Sequence, residues 1–313
     1  MLFYTHPASL EHDTGPGHPE RPDRIRAILK AVADAAIPGL VRREAPEADL
    51  EAIRRAHPEP YPSRIRAAIP WSGHAYLDPD TVVSHGSWKA ALTAAGGAVA
   101  AVDAVLAGED ARAFCCLRPP GHHAEPARAM GFCLFDNVAV AALQARSVHG
   151  IERIAIVDFD VHHGNGTQAI FWNDPKTLFV STHQWPLYPG TGRETETGAA
   201  NNIVNVPLPP GTDGKAYRAA VEAKVLPRLE AFAPELVLIS AGFDAHARDP
   251  LANFELLEED FAWITQRLVE LAERHARGRV VSVLEGGYDL EGLAASVVAH
   301  LLALAGPGRR GGG

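Results

Sequence analysis

The stretch IAIVDFDVHHG, residues 154–164, joins a short apolar run to a cluster of acidic and imidazole side chains. Three further stretches repeat this arrangement: FCCLRPPGHH (114–123), LVLISAGFD (236–244) and VVSVLEGGY (280–288). Short β-branched runs without alternation are typical of strands buried on both faces, as in a parallel sheet covered by helices. Because ligand sites in such sheets lie beyond the carboxyl ends of the strands, these polar residues are expected to converge. The sequence therefore predicts an enzyme-like site at one edge of the sheet.

The length and continuity of the chain bear on its domain organisation. A chain of 313 residues is compatible with one large domain or two small ones. Neither a linker-like break nor an internal repeat interrupts it, so the sequence predicts a single α/β domain with a mostly parallel central sheet flanked by helices. We expect residues 1–305 to form this domain and the glycine- and arginine-rich tail, 306–313, to be disordered.

Helical periodicity and turn residues place further elements around the predicted strands. Apolar residues recur at helical spacing after Pro22, and residues 217–232 and 258–276 are predicted as amphipathic helices. Residues 57–86 carry many Pro, Gly and His residues without periodicity, which predicts a long surface loop. Residues 184–202, rich in Pro, Gly and Thr, are predicted to form an ordered loop over the site.

Composition narrows the classes of partner and compartment. The formal net charge of −9 argues against broad binding to nucleic acid or to an anionic membrane. The three cysteines are too few for a disulfide framework, and Cys115 and Cys116 lie in an apolar run where buried thiols are common. No signal peptide is evident, and no apolar run is expected to reach the ~20 residues that cross a bilayer. A cytoplasmic enzyme is therefore expected.

Three residues of the stretch 154–164 and one of the stretch 236–244 suggest a metal site. Asp158, Asp160 and His162 share parity, so in an extended backbone they point to one face. A catalytic zinc takes three protein ligands and leaves one position for water, and Asp244 at another strand end could join Asp160 and His162 as the third. Mixed oxygen and nitrogen ligation suits zinc, with iron(II) or cobalt(II) as possible replacements. Asp158 alone would more often cap a turn.

The adjacent histidines, His122 and His123, follow Pro-Pro-Gly, which fixes the backbone and permits a sharp turn. Imidazoles held near a metal suit general acid and base roles because His titrates near neutral pH. Each ring needs a partner that fixes its tautomer, and Asp158 and Asn165 are the candidates. Tyr288 follows two glycines and could donate a hydrogen bond to a developing oxyanion, although Gly-Gly-Tyr alone fits a packing role equally well.

Together these motifs resemble the zinc-dependent histone deacetylase family. The resemblance is carried by RPPGHHA (118–124), DFDVHHGNGTQ (158–168), SAGFD (240–244) and EGGYD (285–289), and it extends from HPER (18–21) to the final helix. The motifs are most similar to those of class II and bacterial deacetylase-like members, which include acetylpolyamine amidohydrolases. Four ordered motifs are highly specific, so the resemblance implies a hydrolase that removes acetyl or other short acyl groups.

The resemblance also implies a role for each matched residue. It implies zinc on Asp160, His162 and Asp244, with His123 as the main general base and acid. His122 is implied beside it, paired to Asp158, and Asn165 matches the class II pattern. Tyr288 is implied to polarise the substrate carbonyl. The remaining implied positions are tunnel walls at Gly131, Phe132 and Tyr188, a structural potassium ion at Asp158, Asp160, His162 and Ser181, and an acetate channel at Arg24.

Two alternative classes of function fit the pattern less well. Binuclear manganese hydrolases such as arginases share the sheet but need a carboxylate two residues after the ligand His, where this chain has Gly164. Asp244 is likewise followed two residues on by His246. A catalytically inactive module that binds acyl-lysine would be expected to lose Tyr288, a ligand or a catalytic His, and this chain keeps all of them. One catalytic metal and an active enzyme are therefore favoured.

The substrate depends on the mouth of the implied tunnel. Polyamine deacetylases are expected to carry an acidic residue there, and the position that matches it is Leu251, directly after Asp249-Pro250. An apolar residue at this point favours acyl-lysine in proteins or peptides, although another loop acid could replace the missing one. Acylated lysine side chains are therefore the predicted substrate, and acetylated polyamines are the alternative.

Overall fold

Parallel strands form the central sheet of the computed structural model, which describes residues 1–306. In chain order the strands are β1 (Leu2–Thr5), β2 (Val41–Glu44), β3 (His74–Tyr76), β4 (Val82–Ser84), β5 (Arg112–Cys115), β6 (Ile154–Asp158), β7 (Thr177–Gln184), β8 (Ile203–Leu208), β9 (Leu236–Ala241) and β10 (Val280–Leu284). All except β3 and β4 belong to one sheet of eight strands in the order β2-β1-β5-β10-β9-β6-β7-β8. Every pair of neighbours in it is parallel. The predicted α/β fold is confirmed.

Helices cover both faces of this sheet. In chain order they are α1 (Ala8–Glu11), α2 (Asp23–Ala35), α3 (Leu50–Ala56), α4 (Tyr61–Ala68), α5 (Ser87–Ala107), α6 (Asn137–His149), α7 (Asn165–Phe171), α8 (Gly214–Ala220), which passes through a π-helical turn (Val221–Val225) into α9 (Leu226–Phe232), then α10 (Glu258–His275) and α11 (Leu290–Ala305). One apolar core lies under α3 to α6, and a second lies under α2 and α8 to α11. Burial on both faces explains why the strand sequences are apolar without alternation.

Strand β6 shows how the two cores share one strand. Ile154 and Ile156 pack in the core under α5 and α6, whereas Ala155 and Val157 pack in the core under α10 and α11. Successive side chains of a strand point to opposite faces, so each residue of β6 contributes to one core only.

The four stretches that carry the motifs occupy adjacent places in the middle of the sheet, in the order β5, β10, β9, β6. Since these strands are parallel, their carboxyl ends meet at one edge, as the sequence predicts. Strand β5 begins earlier than expected and ends at Cys115. Cys115, Cys116 and Cys133 are all buried, and burial raises the pKa of each thiol, in agreement with a packing role.

Two parts of the sequence prediction need correction. Residues 57–86 are not a loop throughout, because they contain α4 and the antiparallel hairpin of β3 and β4. Strand β2 was not predicted, since all of its residues are exposed at the edge of the sheet and three of them are charged. The predicted disordered tail, apart from Gly306, lies outside the described residues.

Helix α5, with 21 residues the longest helix among those described, corrects a further expectation. Among residues 1–306 it is the one helix whose length and composition would allow it to cross a membrane. The expectation that no apolar run reaches that length is therefore wrong. In the fold, 72% of its most apolar window is buried, and the helix packs against α6 and β5.

Candidate active site

The carboxyl ends of β6 and β9 bring three potential metal ligands together. One ligand atom from each of Asp160, His162 and Asp244 lies within 4.8 Å of the other two, and all three residues are buried. His162 Nδ1 lies 3.1 Å from Asp160 Oδ1 and 3.1 Å from Asp244 Oδ2. Two carboxylates and one imidazole form a donor set that suits a divalent transition metal, so these residues fit the ion that the resemblance implies.

The chain enters this cluster through turns rather than through an extended strand. Strand β6 ends at Asp158, whose Oδ1 accepts a hydrogen bond from Asp160 N at 3.1 Å. Asp160 Oδ1 in turn accepts a hydrogen bond from His162 N at 2.9 Å. The expectation of an extended backbone as far as His162 is therefore wrong, although Phe159 and Val161 pack in the core as their parity predicts. Asp158 both caps a turn and contributes to the site.

Gly286, which follows β10, leaves room for the carboxylates of Asp160 and Asp244. Gly286 N donates a hydrogen bond to Asp160 Oδ2 at 2.8 Å. A Cβ atom at this position would lie 2.1 Å from Asp244 Oδ2 and 2.6 Å from Asp160 Oδ2, far inside van der Waals contact. Only glycine therefore lets the backbone come so close to both carboxylates.

Buried negative charge dominates the electrostatics of the cluster. Burial raises the pKa of Asp244 to about 7, and the adjacent Asp160 carboxylate adds to the rise. Burial opposes ionisation of Asp160 as well, but His122 and His162 lower its pKa below the usual value. Burial alone would lower the pKa of His162, yet its hydrogen bonds with Asp160 and Asp244 raise it to about 10. A divalent cation would offset this negative charge.

Two adjacent histidines lie beside the cluster with different partners. His122 Nδ1 lies 2.9 Å from Asp158 Oδ2, and His123 Nδ1 lies 2.8 Å from Asn165 Oδ1. Burial alone would lower the pKa of His122, but Asp158 and Asp160 raise it well above the usual value. Burial and the neighbouring His122 lower the pKa of His123 well below the usual value. The opposite shifts favour a charged His122 beside a neutral His123.

A cavity of ≈ 220 Å³ connects these groups with the predicted tunnel residues. The Phe132 ring stands edge-on to the Tyr288 ring with centroids 5.8 Å apart, and the Tyr188 ring stands edge-on to the His123 ring at 5.2 Å. The structure therefore brings the four predicted tunnel residues, Gly131, Phe132, Tyr188 and Leu251, to one cavity with His123, His162 and Tyr288. His122, Asp158 and Asn165 lie behind this lining and reach the cavity through their contacts.

Tyr288 is held by its backbone and by a buried arginine. Tyr288 N donates to Asp249 Oδ2 at 2.7 Å. The Arg24 guanidinium lies 5.0 Å from the centroid of the Tyr288 ring, and its Nε donates to Gly287 O at 2.6 Å. Burial raises the pKa of the Tyr288 phenol well above the usual value, so the hydroxyl keeps its proton at neutral pH. A protonated phenol in this cavity is a hydrogen-bond donor.

The loop of residues 184–202 carries one wall of the cavity, as predicted. Leu187 and Tyr188 line the cavity. His163, the neighbour of His162, holds this loop, because its Nδ1 lies 2.8 Å from Thr191 Oγ1. His163 thus serves the loop rather than the carboxylate cluster.

Two of the residues implied for potassium lie opposite each other on paired strands, and the other two, Asp160 and His162, lie just beyond the end of β6. Asp158 on β6 is the register partner of Ser181 on β7, and both are fully buried. Ser181 Oγ lies 2.9 Å from His183 Nδ1. The potassium site remains a prediction.

Sequence reasoning missed three acidic residues around the site. Asn165 Nδ2 donates to Glu125 Oε1 at 2.9 Å, and Glu285 Oε2 accepts a hydrogen bond from Gly121 N at 2.7 Å. Asp80 lines the cavity. Glu125 directly follows the RPPGHHA motif and Glu285 opens the EGGYD motif, so the sequence places both near the site but does not indicate their hydrogen-bond partners. Asp80 lies in the segment that was interpreted as an irregular loop, and nothing there indicated its place.

The site belongs to a class of α/β proteins that carry a histidine pair beside a carboxylate–imidazole cluster at the carboxyl edge of a parallel sheet. Comparisons with known proteins identify the family. The sequence profile described as "Histone deacetylase domain" matches residues 18–304. The chain belongs to this family, as the motifs predict. Its relatives are named deacetylases and amidohydrolases, so the protein is a hydrolase that acts on amide bonds.

Three relatives illustrate the extent of the similarity. A "probable deacetylase" of Archaeoglobus fulgidus is 41% identical over 293 residues, which are 92% of this chain and 81% of the relative. A "histone deacetylase-like amidohydrolase" of Pseudomonas aeruginosa is 45% identical over 282 residues, 87% of this chain and 73% of the relative. The crystal structure of the HDA15 HD domain has a TM-score of 0.92 at 36% identity, covering 98% of this chain and 88% of that one.

Proposed function

We propose that this protein is a metal-dependent deacetylase that removes acetyl or other short acyl groups from the ε-amino group of lysine in proteins or peptides. The observation that carries the proposal is the cavity of ≈ 220 Å³, whose lining combines His123, His162 and Tyr288 with the apolar walls Phe132 and Leu251. Such a cavity suits an aliphatic side chain that ends in an amide, because apolar walls hold the chain and a few polar groups orient its end.

Asp160, His162 and Asp244 would hold one divalent metal, for which zinc is the proposed ion and iron(II) or cobalt(II) are possible replacements. When bound, the metal supplies Lewis-acid polarisation of the acyl carbonyl and makes water more acidic. We also propose the structural potassium ion that the family resemblance implies at Asp158 and Ser181, together with Asp160 and His162.

Side chains of the protein would carry out proton transfer and stabilise charge during hydrolysis of the amide. The neutral His123 would accept a proton from the attacking water and return it to the leaving amine. The charged His122, held by Asp158, would stabilise negative charge as it develops. Tyr288 would donate a hydrogen bond to the carbonyl oxygen, which strengthens as that oxygen becomes an oxyanion. Phe132 would help to exclude bulk water.

We expect one tightly bound transition metal per chain, because Gly164 and His246 occupy the positions where a binuclear site would place its further carboxylates. Elemental analysis of the purified protein should give a ratio near one, and Asp244→Asn should lose both metal and activity. His246→Asn is the matched control, since His246 stands where a binuclear site would place a further ligand, and it should retain the metal. Two metals per chain, both required for turnover, would contradict the proposal.

Acetylated polyamines are the second candidate substrate, and one observation favours them. Asp80 lines the cavity together with Leu251, so a carboxylate is available even though the position matched to the polyamine gate is apolar. Burial and the neighbouring Asp78 raise the pKa of Asp80, and an ammonium group bound beside it would counteract that rise by favouring the charged carboxylate.

Direct turnover measurements separate the two substrates. We expect a higher kcat/KM for acyl-lysine peptides than for acetylated polyamines. Leu251→Glu should raise kcat/KM for polyamines by up to about fivefold, because an exposed ion pair contributes ~1 kcal/mol at most. Asp80→Asn should raise KM only for polyamines if the carboxylate binds ammonium groups. A wild-type preference for acetylated polyamines over every acyl-lysine peptide tested would overturn the proposed substrate.

A further inference from the structure

The side-chain amide of Asn165 lies between His123 and two groups that have no proton to donate. Asn165 Oδ1 is 2.8 Å from His123 Nδ1. On the other side, Asn165 Nδ2 is 2.9 Å from Glu125 Oε1 and 3.3 Å from Met130 Sδ. A carboxylate and a thioether are both acceptors. The amide must therefore turn its NH2 group toward Glu125 and Met130, which leaves its oxygen for His123.

This orientation decides the tautomer of His123. An amide oxygen only accepts, so His123 Nδ1 must carry the hydrogen, and Nε2 of the neutral ring then carries the lone pair. We propose that Glu125 is a positioning residue that sets the amide orientation of Asn165 and, through it, keeps His123 in the tautomer that can accept a proton at Nε2. The inference rests on the proposed role of His123 as the base.

The fold holds the two segments that carry these residues tightly together. Asn165 begins α7, and the next two backbone N–H groups, of Gly166 and Thr167, donate to His122 O at 3.0 and 3.3 Å. A Cβ atom on Gly166 would lie 2.4 Å from Ala124 O, so α7 begins in direct backbone contact with the segment that leads to Glu125. Glu125 N is itself bonded to Arg128 O at 2.9 Å. The spacing between Glu125 and Asn165 is thus set by backbone contacts.

The two histidines of the pair therefore receive different electrostatic support. His122 faces the Asp158 carboxylate directly, at 2.9 Å, which favours the imidazolium form. His123 has no carboxylate as its direct partner at Nδ1. The side-chain amide of Asn165 lies between His123 and the Glu125 carboxylate. The arrangement fixes the direction of the His123 hydrogen without placing a full negative charge against the ring.

Asn165 donates a hydrogen bond that Glu125 accepts. A substitution that removes the donor or the acceptor should therefore lower kcat. Glu125→Ala should lower kcat by about 10–100-fold, the usual effect of losing a partner that orients a functional side chain. KM should change little, because Glu125 does not line the cavity. Glu125→Gln should retain most of the activity, since its amide oxygen can still accept from Asn165 Nδ2.

A double-mutant cycle supplies the decisive measurement. In Asn165→Asp two carboxylates would face each other across about the 2.9 Å now spanned by the hydrogen bond, so kcat should fall with Glu125 in place. Adding Glu125→Gln provides an NH2 donor for the new carboxylate and should recover at least tenfold of that loss, a coupling of ~1.4 kcal/mol. The same change, Glu125→Gln, should thus be nearly neutral in one background and strongly beneficial in the other.

A control on the same helix separates this role from simple structural support. Glu196 Oε2 accepts a hydrogen bond from another α7 amide, Gln168 Nε2, at 2.8 Å, but this contact does not lead to His123. The effects of Glu196→Gln and Asn165→Asp should add without rescue. Metal content and the melting temperature are measured for every variant, so that rates are compared only among folded, metal-loaded proteins.

The outcomes distinguish the inference from the function on which it rests. If His123→Ala is inactive and Glu125→Gln fails to rescue Asn165→Asp, the positioning role is wrong while the proposed base remains. If His123→Ala is nearly as active as the wild type, the proposed base is wrong, whatever the cycle shows. Rescue in the cycle with an inactive His123→Ala supports both.

Discussion

Tyr288→Phe is expected to lower kcat by about 10²–10³, with little change in KM, because the phenol hydroxyl acts on charge that develops during the reaction. A donor that strengthens in the transition state contributes to the chemical step more than to substrate binding. The hydroxyl belongs to a cavity shared with His123 and His162, and burial keeps it protonated by raising the pKa of the phenol well above its usual value. Steady-state kinetics on an acetyl-lysine peptide measure the effect.

The substitution is conservative in every other respect. The ring that stands against Phe132 and the Arg24 guanidinium remains, and the backbone bond from Tyr288 N to Asp249 does not involve the hydroxyl. Metal content and melting temperature should therefore match the wild type. If a folded, metal-loaded Tyr288→Phe protein turns over at the wild-type rate, Tyr288 is only a wall of the cavity.

His123→Ala is expected to lower kcat by about 10²–10⁴, which is the usual contribution of a general acid–base group. His122→Ala should have a smaller effect, because its ring faces Asp158 and is held in the charged form, which does not accept a proton. His123 is instead the ring whose pKa lies below its usual value and which lines the cavity. Single-turnover deacetylation rates of the two variants give the comparison.

His163→Ala is a suitable control for the loss of a buried imidazole near the site. His163 contacts Thr191 and Gln168 and holds the loop that carries Tyr188, so its loss should act mainly through KM and stability. A His123→Ala protein with near wild-type turnover, or a His122→Ala protein that is the more impaired of the two, would refute the assignment of the base.

The sequence predicted the central strands and their site because one physical cause underlies both. Strands β5, β6, β9 and β10 are covered on both faces and so read as unbroken apolar runs, and the polar residues that follow them can only lie at the carboxyl edge. The partners of His122 and His123 could also be anticipated. Asp158 and Asn165 lie in the same motif as His162, and few other side chains in that motif could fix the tautomer of a histidine.

Other features depend on contacts that sequence patterns do not encode. Strand β2 is held by backbone pairing to β1 at the sheet edge, so its exposed, charged residues carry no apolar signal. The hairpin of β3 and β4 is only three residues long on each side and lies in a segment without periodicity. The place of Glu125 depends on the contact between α7 and the segment after His123, which are far apart in the chain. The turns after Asp158 depend on hydrogen bonds from its own carboxylate.

The position of β10 has a consequence for how the molecule is made. The last strand among residues 1–306, β10, lies in the middle of the sheet between β5 and β9, and it leads directly to Gly286 and Tyr288. Until it emerges from the ribosome, the earlier strands form two separate groups, each with an open edge that can pair wrongly with another chain. Before β10 is in place, His123 after β5 belongs to one group, whereas Asp160 after β6 and Asp244 after β9 belong to the other. His123 comes to lie beside Asp160 and Asp244 only when this central strand closes the gap between the two groups.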